Sequence, residues 1–447
     1  MLKCRFAGLA GLSLLGLLNV SRGQAQGLGN SPYSRLGLGD ASMNLGGVRQ
    51  MAMGGVGLAA PNSLNVNELN PALIYYTNRT TYEVAVTGQF KTVRNQVASQ
   101  RDGSGTLGYL AFAVPISKRW AAAAGLKPYS VVDYTSRTTG DVTGDPTSSV
   151  LKEFTGTGSL SEAYMTHAFR IAKGLSVGVT GSYVFGTTDR ISTTTVVTST
   201  TAQADAVSTV STEHIRYSDF TVRGGLHYRS KINDNLNYNL AGVYSFQSNL
   251  NGLRDVSLQQ QIYGSGLAVA NTNTLLTSGE KGESHAPALT QLGVSFDNNK
   301  NWSVNFDAAR QQWSQFRAFG EQGGTTGVLL SDTYRFGLGG EIVPDPTNVG
   351  SYFKRVAYRG GISVSQMPYR PAGQVLYDRA VSWGFALPVS LGTPLDATTV
   401  NLAFTYGQRG NTNVTSESPS GNVKEDYVRM QLGFSLNSRW FLKRRIE

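Results

Sequence analysis

The side chains best suited to chemistry at neutral pH are four histidines, His167, His214, His227 and His285. They lie far apart, share no metal-ligand spacing, and no carboxylate joins them in a local cluster. No nucleophile elbow is present. Gly55-x-Gly57-x-x-Ala60 imitates a dinucleotide fingerprint, but no buried strand precedes it and Pro61 breaks the helix that should follow. The expectation is therefore no catalytic residue, no metal, no cofactor and no enzyme.

A second set of candidates is the charge that alternation places on inward faces. Arg223, Arg335, Arg355, Arg359, Arg409 and Arg429 fall there, with Glu83, Asp307 and Glu341. Guanidinium forks bind carboxylates bidentately, so these residues could hold a ligand headgroup. They could instead form structural ion pairs and plug contacts across a lumen, and that reading carries more weight. Either reading needs a sheet with an inside.

From Thr80 onward the chain supplies one. Leu236, Tyr238, Leu240, Gly242, Tyr244 and Phe246 alternate with Asn237, Asn239, Ala241, Ser245 and Gln247. Val400, Leu402, Phe404 and Tyr406 repeat the pattern, as do Val428, Met430, Leu432, Phe434 and Leu436. Fourteen such strands follow one another up to residue 437. Short turns near 117, 173, 232, 299, 346 and 392 alternate mostly with long loops, among them 135–157, 188–212 and about 251–284. The 188–212 stretch is low-complexity Thr, Ser, Val and Ala, whose β-branched threonines suit strands that outrun a membrane, or a mobile loop. Lipid offers no hydrogen bonds, so a backbone crossing it must close into a ring. Short turns on one side, long loops on the other and an even strand number are the pattern of a bacterial outer-membrane barrel.

Composition agrees. Only 15% of the 447 residues are charged, against roughly 25% in typical soluble domains. After the N-terminus no apolar run approaches the ~20 residues of a membrane helix. Trp120, Tyr134, Trp302, Trp313, Tyr358, Trp383 and Trp440 are placed to form interfacial girdles. Residues 1–25 read as a signal peptide: Lys3 and Arg5, an apolar run from Phe6 to Leu18, and Gly23-Gln24-Ala25 before the cut. Its removal takes away Cys4, the only cysteine, and lowers the net charge from +10 to +7. No basic cluster suggests nucleic acid.

Residues 26–79 fit neither period. Nine glycines fall between Gly27 and Gly57, yet apolar residues such as Met51, Met53, Val56, Leu58, Leu69 and Leu73 remain. A compact glycine-rich segment ahead of a barrel (80–447) is what a plug would look like.

Met53-Gly54-Gly55-Val56-Gly57 and Asn70-Pro71-Ala72, ahead of fourteen strands, resemble the FadL/TodX family of outer-membrane transporters for hydrophobic compounds. Trp120, Pro115 and Lys127-Pro128-Tyr129-Ser130 are similar to that family's second and third strands. The resemblance implies an all-β transmembrane antiparallel barrel of about fourteen strands with an N-terminal plug, and ligand leaving sideways through a gap in the wall. It carries a plug or gate role to Gly54, Gly55, Gly57, Asn70, Pro71 and Ala72. The function expected is passive, plug-gated passage of fatty-acid-like or aromatic molecules across the Gram-negative outer membrane. The alternative is a FadL-like barrel serving as scaffold or secretion-system subunit; a polar-solute porin is a third reading. The partners expected are outer-membrane lipid, a small hydrophobic ligand and the barrel-assembly machinery, for a monomer. Transport needs an apolar pocket touching the plug, whereas a scaffold can fill its lumen and keep large ordered outer loops.

Overall fold

A computed structural model describes residues 30–35, 37–40, 46–142, 144–198, 207–264, 267–320, 330–389, 397–416 and 418–438. The expected signal peptide and Trp440 lie outside them.

Strong alternation from Thr80 produces strands that all join one antiparallel sheet. In order these are β1 (Thr80–Arg94), β2 (Ser99–Ser117), β3 (Trp120–Val142), β4 (Asp145–Ala172), β5 (Leu175–Thr198) and β6 (Val207–Asn233). Then come β7 (Leu236–Ser245), β8 (Ser248–Gly264), β9 (Leu267–Ala286), β10 (Leu289–Asp297) and β11 (Trp302–Gln311). The last five are β12 (Thr333–Ile342), β13 (Ala357–Gln366), β14 (Tyr377–Val389), β15 (Ala397–Gly410) and β16 (Lys424–Ser438). β1 pairs with β16 from Thr80↔Ser438 to Arg94↔Lys424, so the sheet closes on itself and leaves no edge in the lipid zone.

The sixteen strand segments make fourteen spans. β8 continues β7: both run antiparallel to β6, β7 against Arg223–Asn233 and β8 against Val207–Tyr217. The break falls at Phe246 and Gln247. β9 likewise runs into β10 across Pro287, which has no N–H to give a ladder. Among the described residues no helix is long and apolar enough to cross a membrane.

The outward face carries an apolar belt, including Val84, Leu110, Met165, Phe220, Leu292, Phe336, Tyr406 and Phe434, all exposed. Two of the expected girdle aromatics sit elsewhere. Tyr134 is buried against Gly156 on the inner side, and Trp313 packs over Gly37 in the mouth. Near a strand end, periodicity does not reveal which face closes over a residue.

The expected loops at 135–157 and 251–284 are instead hairpins: β3 pairs with β4 as far as Val142↔Asp145, and β8 pairs with β9. The 188–212 stretch continues β5 to Thr198 and resumes in β6 at Val207. Threonine and valine suit the pleat, and each strand gains a partner from the next. The result is a wall of β3, β4, β5, β6, β8 and β9 standing beyond the apolar belt. Asp145–Ser159 alone rises about 45 Å at ~3.3 Å per residue.

One pair of neighbours separates. β2 pairs with β3 only from Leu110↔Leu126 down to Ser117↔Trp120. Beyond that level, among the described residues, β1 is the one strand paired with β2 and β4 the one strand paired with β3.

Candidate functional site: the barrel interior and the segment before β1

Residues 46–79 run inside the ring. The helix Val48–Ala52 is buried along its whole length against β13, β14, β15 and β16. Gly54, Gly55 and Gly57 follow with φ of +78°, +70° and +124°, a left-handed region in which a side chain would be strained. The turn lets Asp307 of β11 accept the backbone N–H groups of Gly57 (2.8 Å) and Leu58 (2.9 Å), while Arg335 of β12 donates to the Gly54 carbonyl (2.7 Å).

Asn70, Pro71 and Ala72 form the start of a 3-10 turn (Pro71–Tyr76). Asn70 Oδ1 caps it by accepting from Ala72 N (2.9 Å), and Asn70 Nδ2 donates to the carbonyls of Leu58 (3.0 Å) and Leu226 (3.2 Å). This turn packs on β4, β5 and β6.

Charge joins the segment to the ring at four places. Glu341 of β12 takes Arg49 (3.2 Å) from the helix and Arg359 (2.6 Å) from β13, and Arg359 also donates to Asn401. Glu83 of β1 accepts from Asn65 (2.8 Å), Tyr109 (3.1 Å) and Ser435 (2.7 Å). Glu68 accepts from Tyr164 (2.8 Å) and shares Lys127 with Glu162, at 3.7 and 3.8 Å. Burial pushes the Glu68 carboxyl above its ordinary value, and the Lys127 ammonium opposes that shift. Nearer the mouth Arg409 holds Asp40 (2.7 Å), Asp378 (3.3 Å) and Glu425 (3.7 Å).

Residues 30–35 and 37–40 occupy the place where β2 and β3 part. Asp40 exchanges backbone hydrogen bonds with Val131 (2.8 and 3.1 Å), and Ser31 N donates to the Asp133 carbonyl (2.7 Å). Asn30 reaches β2 through Asp102 (2.7 Å) and accepts from Thr135 N (3.0 Å) on β3. Above this the mouth is filled by an apolar cluster of Leu38, Leu160, Ile215, Tyr217, Leu250 and Phe319. Between the segment and the wall, the cavity lined by Glu68, Tyr109, Lys127 and Gln431 measures about 10 Å³. That is space for one water and not for an organic ligand.

Of the inward arginines, Arg335, Arg359, Arg409 and Arg429 are engaged as described or, for Arg429, with Gln89 (2.9 Å). Arg223 lies partly buried on β6 in the field of Glu68 and Glu162. Arg355 is not in the lumen. It ends an exposed helical turn, Tyr352–Arg355, before β13, with its guanidinium over the Tyr352 ring. The strand starts later than alternation suggests, at Ala357, because the chain turns there before pairing.

The histidines stay apart: His227 meets Tyr76, His167 meets Trp120, His214 meets Asp189 and His285 meets Asn249. No group of His, Cys, Asp or Glu that could hold a metal occurs among the described residues.

Residues missed in the sequence reading are inner-face glycines of the barrel strands β12, β13, β14 and β16. A Cβ at Gly339 or Gly361 would overlap the Met53 carbonyl, one at Gly384 would lie 2.6 Å from Ala52 Cβ, and one at Gly433 2.6 Å from Val48 Cγ2. Their signal was available: glycines recurring at inward positions of neighbouring strands mark a close backbone approach.

A family model described as BamG matches residues 12–447. The chain belongs to the BamG family. Solved structures give the fold of this family member a second footing. The CymD monoaromatic hydrocarbon channel matches at TM-score 0.56, 14% identity, over 89% of this chain and 98% of that one. The P. putida toluene transporter TodX matches at 0.55 and 14%, over 89% and 99%. A Pseudomonas aeruginosa FadL homologue matches at 0.54 and 14%, over 88% and 98%. No curated protein matches the sequence. At these identities the likeness is one of fold: a closed fourteen-strand antiparallel barrel of the outer-membrane type, as the FadL/TodX resemblance implied. The solved relatives are named as channels, transporters or a FadL homologue, and none as an enzyme.

Proposed function

We propose that this chain is a sealed outer-membrane barrel that serves as a docking subunit, with residues 26–79 as its plug and its work done by the tall outer wall. Residues 1–25 are a leader removed on export to a Gram-negative outer membrane, where the barrel-assembly machinery inserts the chain as a monomer among lipids. The observation carrying this reading is how closely the described part of residues 26–79 is held to the ring. Ion pairs engage the plug from Arg49 to Glu68, an apolar core closes the mouth, and the cavity beside Glu68 admits one water. Gly54, Gly55, Gly57, Asn70, Pro71 and Ala72 hold the plug's shape. Purification of the full chain from mildly solubilised membranes tests the reading. A defined partner should be retained in fixed ratio and lost when 255–283 is replaced by a short turn, with the barrel intact. Retention unchanged by that replacement, or no partner at all, would overturn it.

A second reading is passive passage of small hydrophobic molecules, gated by the plug. Two observations favour it: the fold shared with hydrocarbon channels, and the parting of β2 from β3. Below the parting, on the outer face, lies an apolar hollow of about 660 Å³ lined by Tyr82, Leu110, Phe112, Leu126, Phe434 and Leu436. Saturable uptake of a radiolabelled fatty acid or aromatic hydrocarbon into proteoliposomes would support it. Uptake no faster than into empty liposomes would exclude it.

A further inference from the structure

Among the described residues the wall beyond the apolar belt is an open sheet, unlike the barrel below it. One of its margins is β3, and residues 31–35 and 37–40 lie along that margin through the Asp40–Val131 and Ser31–Asp133 backbone bonds. The opposite margin is β9. Its base is tied by a bridge between His285 and Arg317, and β8 is its only strand partner among the described residues. An unpaired margin offers a row of N–H and C=O groups to any extended chain, and natural sheets usually blunt it with charge. Here the stretch from Leu267 to Thr277 carries no charge at all. At Leu275 and Leu276 the register with β8 shifts, and both leucines stand in solvent, 61% and 57% exposed.

Charge on the same wall is ordered toward that margin. Arg190 of β5, Glu213 of β6, Arg254 of β8 and Glu280 of β9 alternate in sign across four strands. The successive separations are 3.7, 3.3 and 2.7 Å. The series ends on an anion at the open margin. Arg254 spends both its Nε and Nη2 on Glu280 Oε2, and no contact falls on Oε1 among the described residues. The next strand would continue the series with a cation.

We infer that the β9 margin is a strand-addition site for an extended segment of a partner protein, free of charge except for one basic side chain that meets Glu280. Main-chain bonds to β9 supply affinity, Leu275 and Leu276 take apolar side chains, and Glu280 sets register. This rests on the docking reading and names its surface and partner chemistry.

The test uses the full-length protein in detergent micelles and a fluorescein-labelled ten-residue peptide of alternating Thr and Val with one central Lys. Anisotropy should show the Lys peptide binding at least fivefold tighter than its Glu counterpart, and a peptide with two internal prolines not binding. Glu280→Lys should invert the Lys/Glu order, and Leu276→Asp should weaken both. Unchanged heat-modifiable mobility verifies that each variant is folded. Equal binding of Lys and Glu peptides, an order unmoved by Glu280→Lys, or no binding would overturn the inference. If replacing 255–283 loses the native partner while peptide binding is charge-blind, docking stands and this margin falls. If the partner is retained, docking on this wall falls.

Discussion

The Arg49–Glu341–Arg359 cluster allows the attachment of the proposed plug to be weighed. Glu341→Ala leaves two guanidinium groups without their shared carboxylate. Their side chains are only 3% and 2% exposed, so water cannot substitute fully. Breaking a buried pair from one side costs about 3–5 kcal/mol, because a desolvated charge is left unmatched. Part of that cost falls on Arg359, which stays in the wall whether or not the plug is seated. The part on Arg49 is relieved when the helix leaves, and this difference shifts the seated equilibrium. If half or more of ~4 kcal/mol lies there, the unseated fraction rises at least twentyfold to thirtyfold, at about 1.4 kcal/mol per decade. The assay is the rate of maleimide labelling of a single cysteine at Ala52, which is fully buried when seated. The mature chain expected from the sequence has no other cysteine. Glu341→Ala should speed labelling at least twentyfold, whereas Arg310→Ala, which breaks an exposed pair with Asp332, should change it less than about fivefold. Replacing Arg49, Glu341 and Arg359 together with Met should return the rate toward the parent value, since an apolar trio leaves no unmatched charge. An unchanged rate in Glu341→Ala, with the barrel still heat-modifiable, would refute the electrostatic account of seating.

Four further outcomes are expected. Gly339→Val and Gly361→Val should each unseat the helix, because the new side chain meets the Met53 carbonyl; Ala52 labelling should rise by tenfold or more, and no change would refute the close approach. The intact protein should give little ion conductance in planar bilayers, while a chain lacking 46–79 should give large steady currents; large currents from the intact protein would favour the porin reading. Glu68 has its carboxyl raised by burial, so protonation favours the seated state. The resulting stability is complete below the ordinary carboxylate value and is lost as pH rises through the raised one. Labelling at Ala52 should therefore slow on acidification through that window, and Glu68→Gln should flatten the dependence; a profile identical to the parent's would reject the assignment. Epitope tags in 136–156 and 255–283 should be accessible on whole cells and tags at 173 or 299 should not, with the reverse pattern overturning the orientation.

What the sequence determined is the ring. A period of two is local: Val428, Met430, Leu432, Phe434 and Leu436 announce one face whatever their neighbours are, and lipid permits only a closed sheet behind them. Fourteen spans, the short turns near 117, 173, 232 and 299, and the inward placing of Arg335, Arg359, Arg409 and Arg429 follow from that repeat; the expected turn near 392 lies outside the described residues, and the one near 346 is the longer connection 343–356. Tertiary structure alone decided how the interior is used. Whether Glu341 faces a ligand or Arg49 depends on a pairing across 292 residues, and alternation says nothing about distance in the chain. Arg355 was misplaced because a turn before β13 shifts where the repeat begins. The stretches at 135–157 and 251–284 became a wall rather than loops because each found a partner strand, and polar Thr-rich sequence does not reveal pairing until both strands are in place. The β9 margin, where β8 is the one strand partner among the described residues, is invisible for the same reason: an edge is defined by its neighbours.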